Sequence, residues 1–178
     1  MTKTPKILFE HLDVPNIHTL ETYQKQGGYA AARRVVNDLK PEEVVEIVKK
    51  SGLRGRGGAG FPTGLKWSFV PKDPKLTKYL LCNGDESEPG TFKDRILMEK
   101  MPHLNLEGII IASYAVGARK AYIYVRGEYT ESIESLERAL EDCYAHGILG
   151  EKVLGSDYGL DIVVFRGAGA YICGEETG

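Results

Sequence analysis

Three short runs of β-type residues, at positions 79–82, 121–125 and 160–165, constrain the fold most strongly. The intervening stretches 94–116 and 129–146 are long enough for helices and carry apolar residues at helical spacing. Strands that alternate with helices of this length form a parallel sheet with right-handed crossovers. The sequence therefore predicts an α/β fold built on a parallel sheet with flanking helices.

Helical signals also precede the sheet. Residues 1–18 show no periodicity and are interpreted as an arm, whereas residues 41–52 have a proline at the start, glycine at the end and an apolar stripe between. The stretch before the second strand contains Pro102, where we expect its helix to break. We therefore divide the chain into an N-terminal arm with short helices, residues 1–52, and a ligand-binding domain, residues 53–178.

Each predicted strand leads into a loop of glycine and charged residues, at 83–90, 126–129 and 166–176. In a parallel sheet these loops emerge at the carboxyl edge, where open α/β sheets bind ligands. Carboxylates there accept hydrogen bonds from ribose or ribityl hydroxyls, or hold Mg²⁺ through phosphates, although a solvated acidic turn is the alternative for the first loop. The carboxylates are Asp85, Glu86, Glu88, Asp94, Glu175 and Glu176.

Glycine is concentrated at residues 52–64, where six of thirteen residues are glycine. Bare backbone N–H groups beside Arg54, Arg56 and Lys66 suit a phosphate. The segment contains G-x-G-x-x-G, but it follows a helix where a dinucleotide fingerprint needs a strand. Phe61 stands where a Walker lysine would be, so neither standard nucleotide loop is present, and a flexible linker is the alternative.

Two functional classes remain open from these residues alone. Phe61, Trp67 and Phe69 lie within or just after the glycine-rich segment. They either stack on a purine, which is typical of a protein that binds a nucleotide cofactor, or belong to the core. The other class is a Mg-dependent phosphoryl-transfer enzyme that uses Arg56 and Lys66 with the acidic loop.

Charge and hydropathy exclude two broad classes. The chain has 23 Lys and Arg residues against 25 Asp and Glu residues. This balance argues against a protein that binds nucleic acid through a large net positive charge. The longest apolar stretch is too short to span a bilayer, which takes about 20 residues. The four histidines adjoin none of the clusters and receive no role.

Three long motifs, at residues 55–67, 82–95 and 166–177, resemble one family. From about Thr19 onward the chain is similar to the NADH-oxidising flavoprotein subunit of respiratory complex I, the bacterial NADH–quinone oxidoreductase. The resemblance implies a Rossmann-like domain that holds FMN and NADH. It also implies NADH oxidation by hydride transfer to bound FMN, with electrons passing on to iron–sulfur clusters and quinone.

The resemblance implies the residues that contact each cofactor, and it implies no catalytic side chain and no metal ligand within these residues. Those expected at FMN are Gly55, Gly57, Lys66, Asn83, Asp85, Tyr171, Gly174 and Glu175. Those expected at NAD are Gly58, Ala59, Phe61, Phe69, Glu86, Glu88 and Glu176, with the two phenylalanines around the adenine.

The family's usual length implies that these 178 residues are the first part of a longer subunit, with a 4Fe-4S cluster in a later part and no turnover by this part alone. Implied partners are the other peripheral-arm subunits of complex I, notably a small 2Fe-2S subunit and a large iron–sulfur subunit. The implied location is cytoplasmic, peripheral on the cytoplasmic side of the inner membrane, with no nucleic acid and no direct membrane insertion.

Three alternatives stay open beside complex I. The nearest is the diaphorase subunit of an NAD-linked hydrogenase or formate dehydrogenase. The others are the phosphoryl-transfer enzyme described above and a non-catalytic assembly subunit that keeps the fold.

Overall fold

The computed structural model describes residues 6–173. The helices in this part of the chain are α1 (Leu20–Lys25), α2 (Ala30–Asp38), α3 (Pro41–Ser51), α4 (Thr63–Ser68), α5 (Lys93–Lys100), α6 (Pro102–Val116) and α7 (Thr130–Ala145), with a 3₁₀ turn at Val153–Gly155. The strands are β1 (Tyr79–Gly84), β2 (Lys120–Val125) and β3 (Asp161–Arg166). No helix within residues 6–173 is both long and apolar enough to cross a membrane.

The three strands form one parallel sheet in the order β1-β2-β3. Lys120 at the start of β2 lies opposite Tyr79 on one side and Asp161 on the other, so all three strands end at the same edge. Alternate residues of β2 are buried, and helices α6 and α7 contact the sheet. The α/β fold with a Rossmann-like parallel sheet and flanking helices is therefore confirmed.

Three helix ends lie where local chemistry predicts them. Helix α5 stops at Lys100 and α6 starts at Pro102, so the predicted break is confirmed. Gly52 ends α3 and Gly117 ends α6, each in the left-handed conformation that glycine adopts without penalty.

The N-terminal helices belong to the same hydrophobic core as the helices beside the sheet. Ile17, within the segment interpreted as an arm, is buried in that core, as are residues of α1, α2 and α3. Helices α2 and α3 both contact α6. The division at residues 52 and 53 stays a prediction, because side chains from both parts pack together.

A polar cluster is buried where α2 meets α6. The Glu107 carboxylate on α6 accepts hydrogen bonds from the Tyr23 hydroxyl at 2.5 Å, the Tyr29 N–H at 2.9 Å and the Ala32 N–H at 3.1 Å. Helix α2 has no side-chain cap from its own N-cap residue. Glu107 therefore caps α2 from a position 75 to 78 residues away in sequence.

His103 completes this cluster, although the sequence suggested no role for it. Its ring is fully buried, and Nδ1 lies 2.9 Å from the Tyr29 hydroxyl. Burial lowers the pKa of the His103 imidazole from 6.5 to about 4, while Asp142 acts to raise it and His18 to lower it. The folded protein thus keeps the ring neutral at pH values where the unfolded chain binds a proton.

The acid sensitivity of folding follows from this shift. Because the folded pKa is depressed, the contribution of His103 is complete above about pH 6.5 and is lost as the pH falls towards 4. Between about pH 7.5 and about pH 5 we expect the free energy of unfolding to fall by about 2 kcal/mol from this residue. Urea unfolding at both pH values measures it.

Two variants separate the contribution of His103 to the pH dependence of stability from that of the other titrating groups. His103→Asn is expected to remove that part of the pH dependence, whereas His146→Asn, at an exposed histidine on the C-terminal side of α7, is expected to keep it. An unchanged pH dependence in His103→Asn contradicts the assignment.

Candidate functional site

A cleft of about 790 Å³ lies at the carboxyl edge of the sheet. Its walls come from the glycine loop, from the loop after β1 together with the start of α5, and from Ile172 in the segment after β3. Five residues predicted at the cofactors line it: Gly57, Asn83, Asp85, Glu86 and Glu88. The structure therefore brings together motifs that are up to about 115 residues apart in the sequence, in a volume within the usual range for small-molecule sites.

The glycine loop is a closed hairpin rather than a linker. Arg54 and Pro62 form an antiparallel bridge at its base, and the Gly55 N–H donates to the Phe61 carbonyl at 2.9 Å. Apart from its two chain neighbours, a Cβ atom added at Gly57 would meet no atom of the described residues within 4 Å, and the backbone there is not left-handed. Neither packing nor backbone conformation explains glycine at this position, so the open space beside Gly57 is available to a ligand.

The Glu86 side chain is buried rather than exposed to solvent. It is 4% exposed, and its two carboxylate oxygens accept hydrogen bonds from the N–H groups of Asp94 at 2.8 Å and Arg95 at 3.0 Å. These donors open α5, where a negative charge is favoured by the helix dipole. Glu86 thus has a structural task as the cap of α5, and its expected contact with NAD stays a prediction.

Glu88, two residues further on, is exposed and joins two of the loops. Its carboxylate accepts a hydrogen bond from the Tyr171 hydroxyl at 3.0 Å, which links the loop after β1 to the segment after β3. This bond raises the pKa of the Tyr171 hydroxyl, since the protonated form is the donor. Glu88 therefore presents a charged oxygen at the rim of the cleft.

Phe61 and Phe69 form an exposed aromatic pair beside the glycine loop. Their ring centroids are 6.3 Å apart with planes inclined at 55°. The side chains are 45% and 66% exposed, so neither is a core residue, whereas Trp67 is packed against the core. The pair offers flat apolar surface to a planar ligand.

The remaining predicted residues lie around the cleft or outside the described part. Gly58 and Ala59 are exposed in the glycine loop, and Lys66 is exposed on α4 and is not among the residues that line the cleft. Gly174, Glu175 and Glu176 fall outside residues 6–173.

Two residues near the site were not singled out from the sequence. Arg126 and Tyr129 follow β2 and contact Glu86. The sequence carries one signal for them, because their loop follows the middle strand and the pattern predicts that it emerges at the carboxyl edge. Nothing in their residue types indicated which neighbour they would contact.

Comparison with known proteins places this geometry in context. The family model described as the Nuo51 FMN-binding domain matches residues 48–178. An NADH-quinone oxidoreductase subunit of Rhizobium meliloti is 54% identical over 96% of this chain and 41% of its own length. An NADH-quinone oxidoreductase subunit of Aquifex aeolicus is 54% identical over 98% of this chain and 40% of its own length. The chain thus spans about two-fifths of these relatives.

A solved structure has the same fold at lower identity. The air-oxidised NAD⁺-reducing [NiFe]-hydrogenase contains a chain that is 36% identical and superposes with a TM-score of 0.70. The match covers 98% of this chain and 26% of that one.

Proposed function

The chain belongs to the family of the Nuo51 FMN-binding domain, and from this premise we propose that it holds FMN and NADH in the cleft at the carboxyl edge of the sheet. In this role it is the NADH-oxidising flavoprotein part of an NADH–quinone oxidoreductase. One observation carries the proposal: the open glycine loop and the acidic loop after β1 line a single cleft of about 790 Å³.

The residues present fit FMN by their chemistry. The open backbone at Gly57, next to Gly55 and with Arg56 in the cleft wall, suits a phosphate. Asn83 and Asp85 offer amide and carboxylate groups for ribityl hydroxyls or ring atoms. In our proposal Lys66, Tyr171, Gly174 and Glu175 complete the FMN set.

The nucleotide surface is proposed at the rim. Phe61 and Phe69 take the adenine, Glu88 takes the adenosine ribose, and Gly58, Ala59, Glu86 and Glu176 are the further NAD contacts. FMN, when bound, supplies the hydride-accepting ring for NADH oxidation. The protein's own task is therefore to orient both cofactors and to exclude water, without a catalytic acid or base.

Partners and location extend the proposal. The relatives are subunits of NADH-quinone oxidoreductases. We propose that this chain likewise joins a small 2Fe-2S subunit and a large iron–sulfur subunit at the cytoplasmic side of the inner membrane. The 4Fe-4S cluster is proposed outside these 178 residues.

Visible absorption of the purified full-length gene product tests the function. We expect flavin bands that bleach when NADH is added without oxygen, and FMN in the supernatant after heat denaturation. A colourless protein that binds Mg-ATP would instead support phosphoryl transfer.

A hydrogenase diaphorase is the second candidate, favoured by the fold shared with the NAD⁺-reducing hydrogenase. The 54% identity to oxidoreductase subunits, against 36% to that hydrogenase, supports the first candidate. Affinity purification from the native organism distinguishes them, because one complex carries a [NiFe] subunit and the other does not.

Cofactor preference provides a test of Glu88. A carboxylate that accepts a hydrogen bond from the adenosine ribose repels the 2′-phosphate of NADPH. We expect Glu88→Gln in the full-length gene product to narrow the NADH over NADPH preference in kcat/KM by about tenfold or more, or about 1.4 kcal/mol. FMN content is expected to stay unchanged.

The matched control is Glu141→Gln, at an exposed glutamate on α7. It should leave the preference unchanged. Loss of FMN from Glu88→Gln with an unmoved preference would place Glu88 at the flavin instead, and Glu176 would become the first choice for the ribose.

A further inference from the structure

The main-chain carbonyl of Glu86 accepts hydrogen bonds from side chains in the loop after β2, the strand next to β1. Arg126 Nη1 donates to this oxygen at 2.9 Å, and the Tyr129 hydroxyl donates to it at 3.1 Å. A second contact runs from the Tyr129 hydroxyl to Glu86 Oε2 at 3.5 Å. One carbonyl of the acidic loop therefore receives two side-chain donors from residues about 40 positions away.

Tyr129 is itself fixed in place by two cations. The guanidinium of Arg126 lies 5.2 Å from the centre of the Tyr129 ring, and that of Arg95 lies 5.9 Å from it. Both distances are within the range of cation–π attraction. The ring therefore has contacts that do not depend on its hydroxyl, and the hydroxyl donates to Glu86.

Glu86 is anchored at its other end as well. Its carboxylate accepts from the N–H groups of Asp94 and Arg95 in the first turn of α5, as described above, and its carbonyl accepts from Arg126 and Tyr129. The residue thus ties the loop after β1 to α5 and to the loop after β2. Asp85 and Glu88 lie on either side of this anchor and line the cleft.

We propose that Tyr129 and Arg126 are positioning residues for nucleotide binding. By fixing the carbonyl of Glu86 they set the path of residues 85–88, and with it the place at which Glu88 meets NADH. The inference rests on the proposed function of the cleft. It adds two residues that act through the acidic loop.

Tyr129→Phe isolates the hydroxyl, because the ring and both cation–π contacts remain. In the flavin-loaded full-length protein we expect the KM for NADH to rise by about tenfold, in line with the loss of an ordinary hydrogen bond. The Kd for NAD⁺, measured by calorimetry, should rise in parallel, while kcat and FMN content stay within about twofold of wild type. Arg126→Gln is the second variant, with the same expected direction.

Tyr144→Phe is the matched control for a purely structural loss. Its hydroxyl also makes two hydrogen bonds, to Asp161 at 2.5 Å and from the Ile162 N–H at 3.0 Å, at the opposite end of the sheet. We expect it to lower stability without raising the KM for NADH or the Kd for NAD⁺. That contrast separates positioning from general destabilisation.

Three results would overturn the proposal, each in a distinct way. If Tyr129→Phe and Arg126→Gln both lower the melting temperature but leave the KM for NADH and the Kd for NAD⁺ unchanged, the two residues are structural contacts only. Equal KM increases in Tyr129→Phe and Tyr144→Phe would assign the effect to destabilisation. A wild-type protein with neither flavin nor NAD⁺ binding would reject the proposed function, and the positioning role with it.

Discussion

Gly57→Leu is expected to lower the affinity for FMN by about a hundredfold or more, equivalent to about 2.7 kcal/mol. The reason is that Gly57 lines the cleft and that, apart from its two chain neighbours, no described residue has an atom within 4 Å of a Cβ at this position. A leucine side chain would occupy cleft space that FMN takes in the proposed function, while its Cβ meets no clash. Fluorescence titration of the apoprotein with FMN measures the affinity.

The melting temperature of the apoprotein is the companion measurement and should change little. Gly108→Leu is the matched control, since Gly108 is exposed on α6 and a Cβ there meets no atom within 4 Å beyond its chain neighbours and its own helix backbone. We expect it to retain FMN affinity and to gain slightly in stability from helix propensity. Normal FMN affinity in Gly57→Leu would contradict the proposed role of the glycine loop.

Glu107→Leu is expected to lower the free energy of unfolding by about 3–5 kcal/mol. The substitution removes the acceptor for the Tyr23 hydroxyl and for two N–H groups of α2, and leaves all three donors buried. Domains of this kind have about 5–15 kcal/mol of stability in total, so the loss is large. The melting temperature should fall by about 10 °C.

Urea unfolding followed by the fluorescence of Trp67, the single tryptophan, measures this effect. Glu107→Gln keeps one acceptor oxygen and should lie between wild type and Glu107→Leu. Glu137→Leu, at an exposed glutamate on α7, is the control and should change stability by less than about 0.5 kcal/mol. A loss below about 1 kcal/mol in Glu107→Leu would show that water replaces the carboxylate.

The order of elements was predictable because its signals are local. The alternation of strands with helices, the break at Pro102 and the ends of helices at Gly52 and Gly117 each follow from the conformational preferences of a few adjacent residues. Parallel pairing then follows from the length of the crossovers. The emergence of the loops after β1, β2 and β3 at one edge of the sheet follows in turn, and the strand register confirms it.

The tasks of individual polar residues were not predictable. Glu86 and Glu88 are two positions apart and chemically alike, yet one caps α5 inside the protein and the other reaches Tyr171 at the surface. His103 and Glu107 likewise gain their roles from helices that pack against α6. Their partners are 8 to 83 residues away in sequence, which no local pattern encodes.

The sequence by itself thus determined the architecture and the chemistry collected at the edge of the sheet. Only the tertiary structure decided that Glu86 is a structural cap, that Glu88 is exposed beside the cleft, and that Arg126 and Tyr129 bind the carbonyl of Glu86. The physical reason is the distance along the sequence over which each kind of interaction acts. Backbone preferences act over a few residues, whereas burial and hydrogen-bond partners depend on where distant segments meet after the chain has folded.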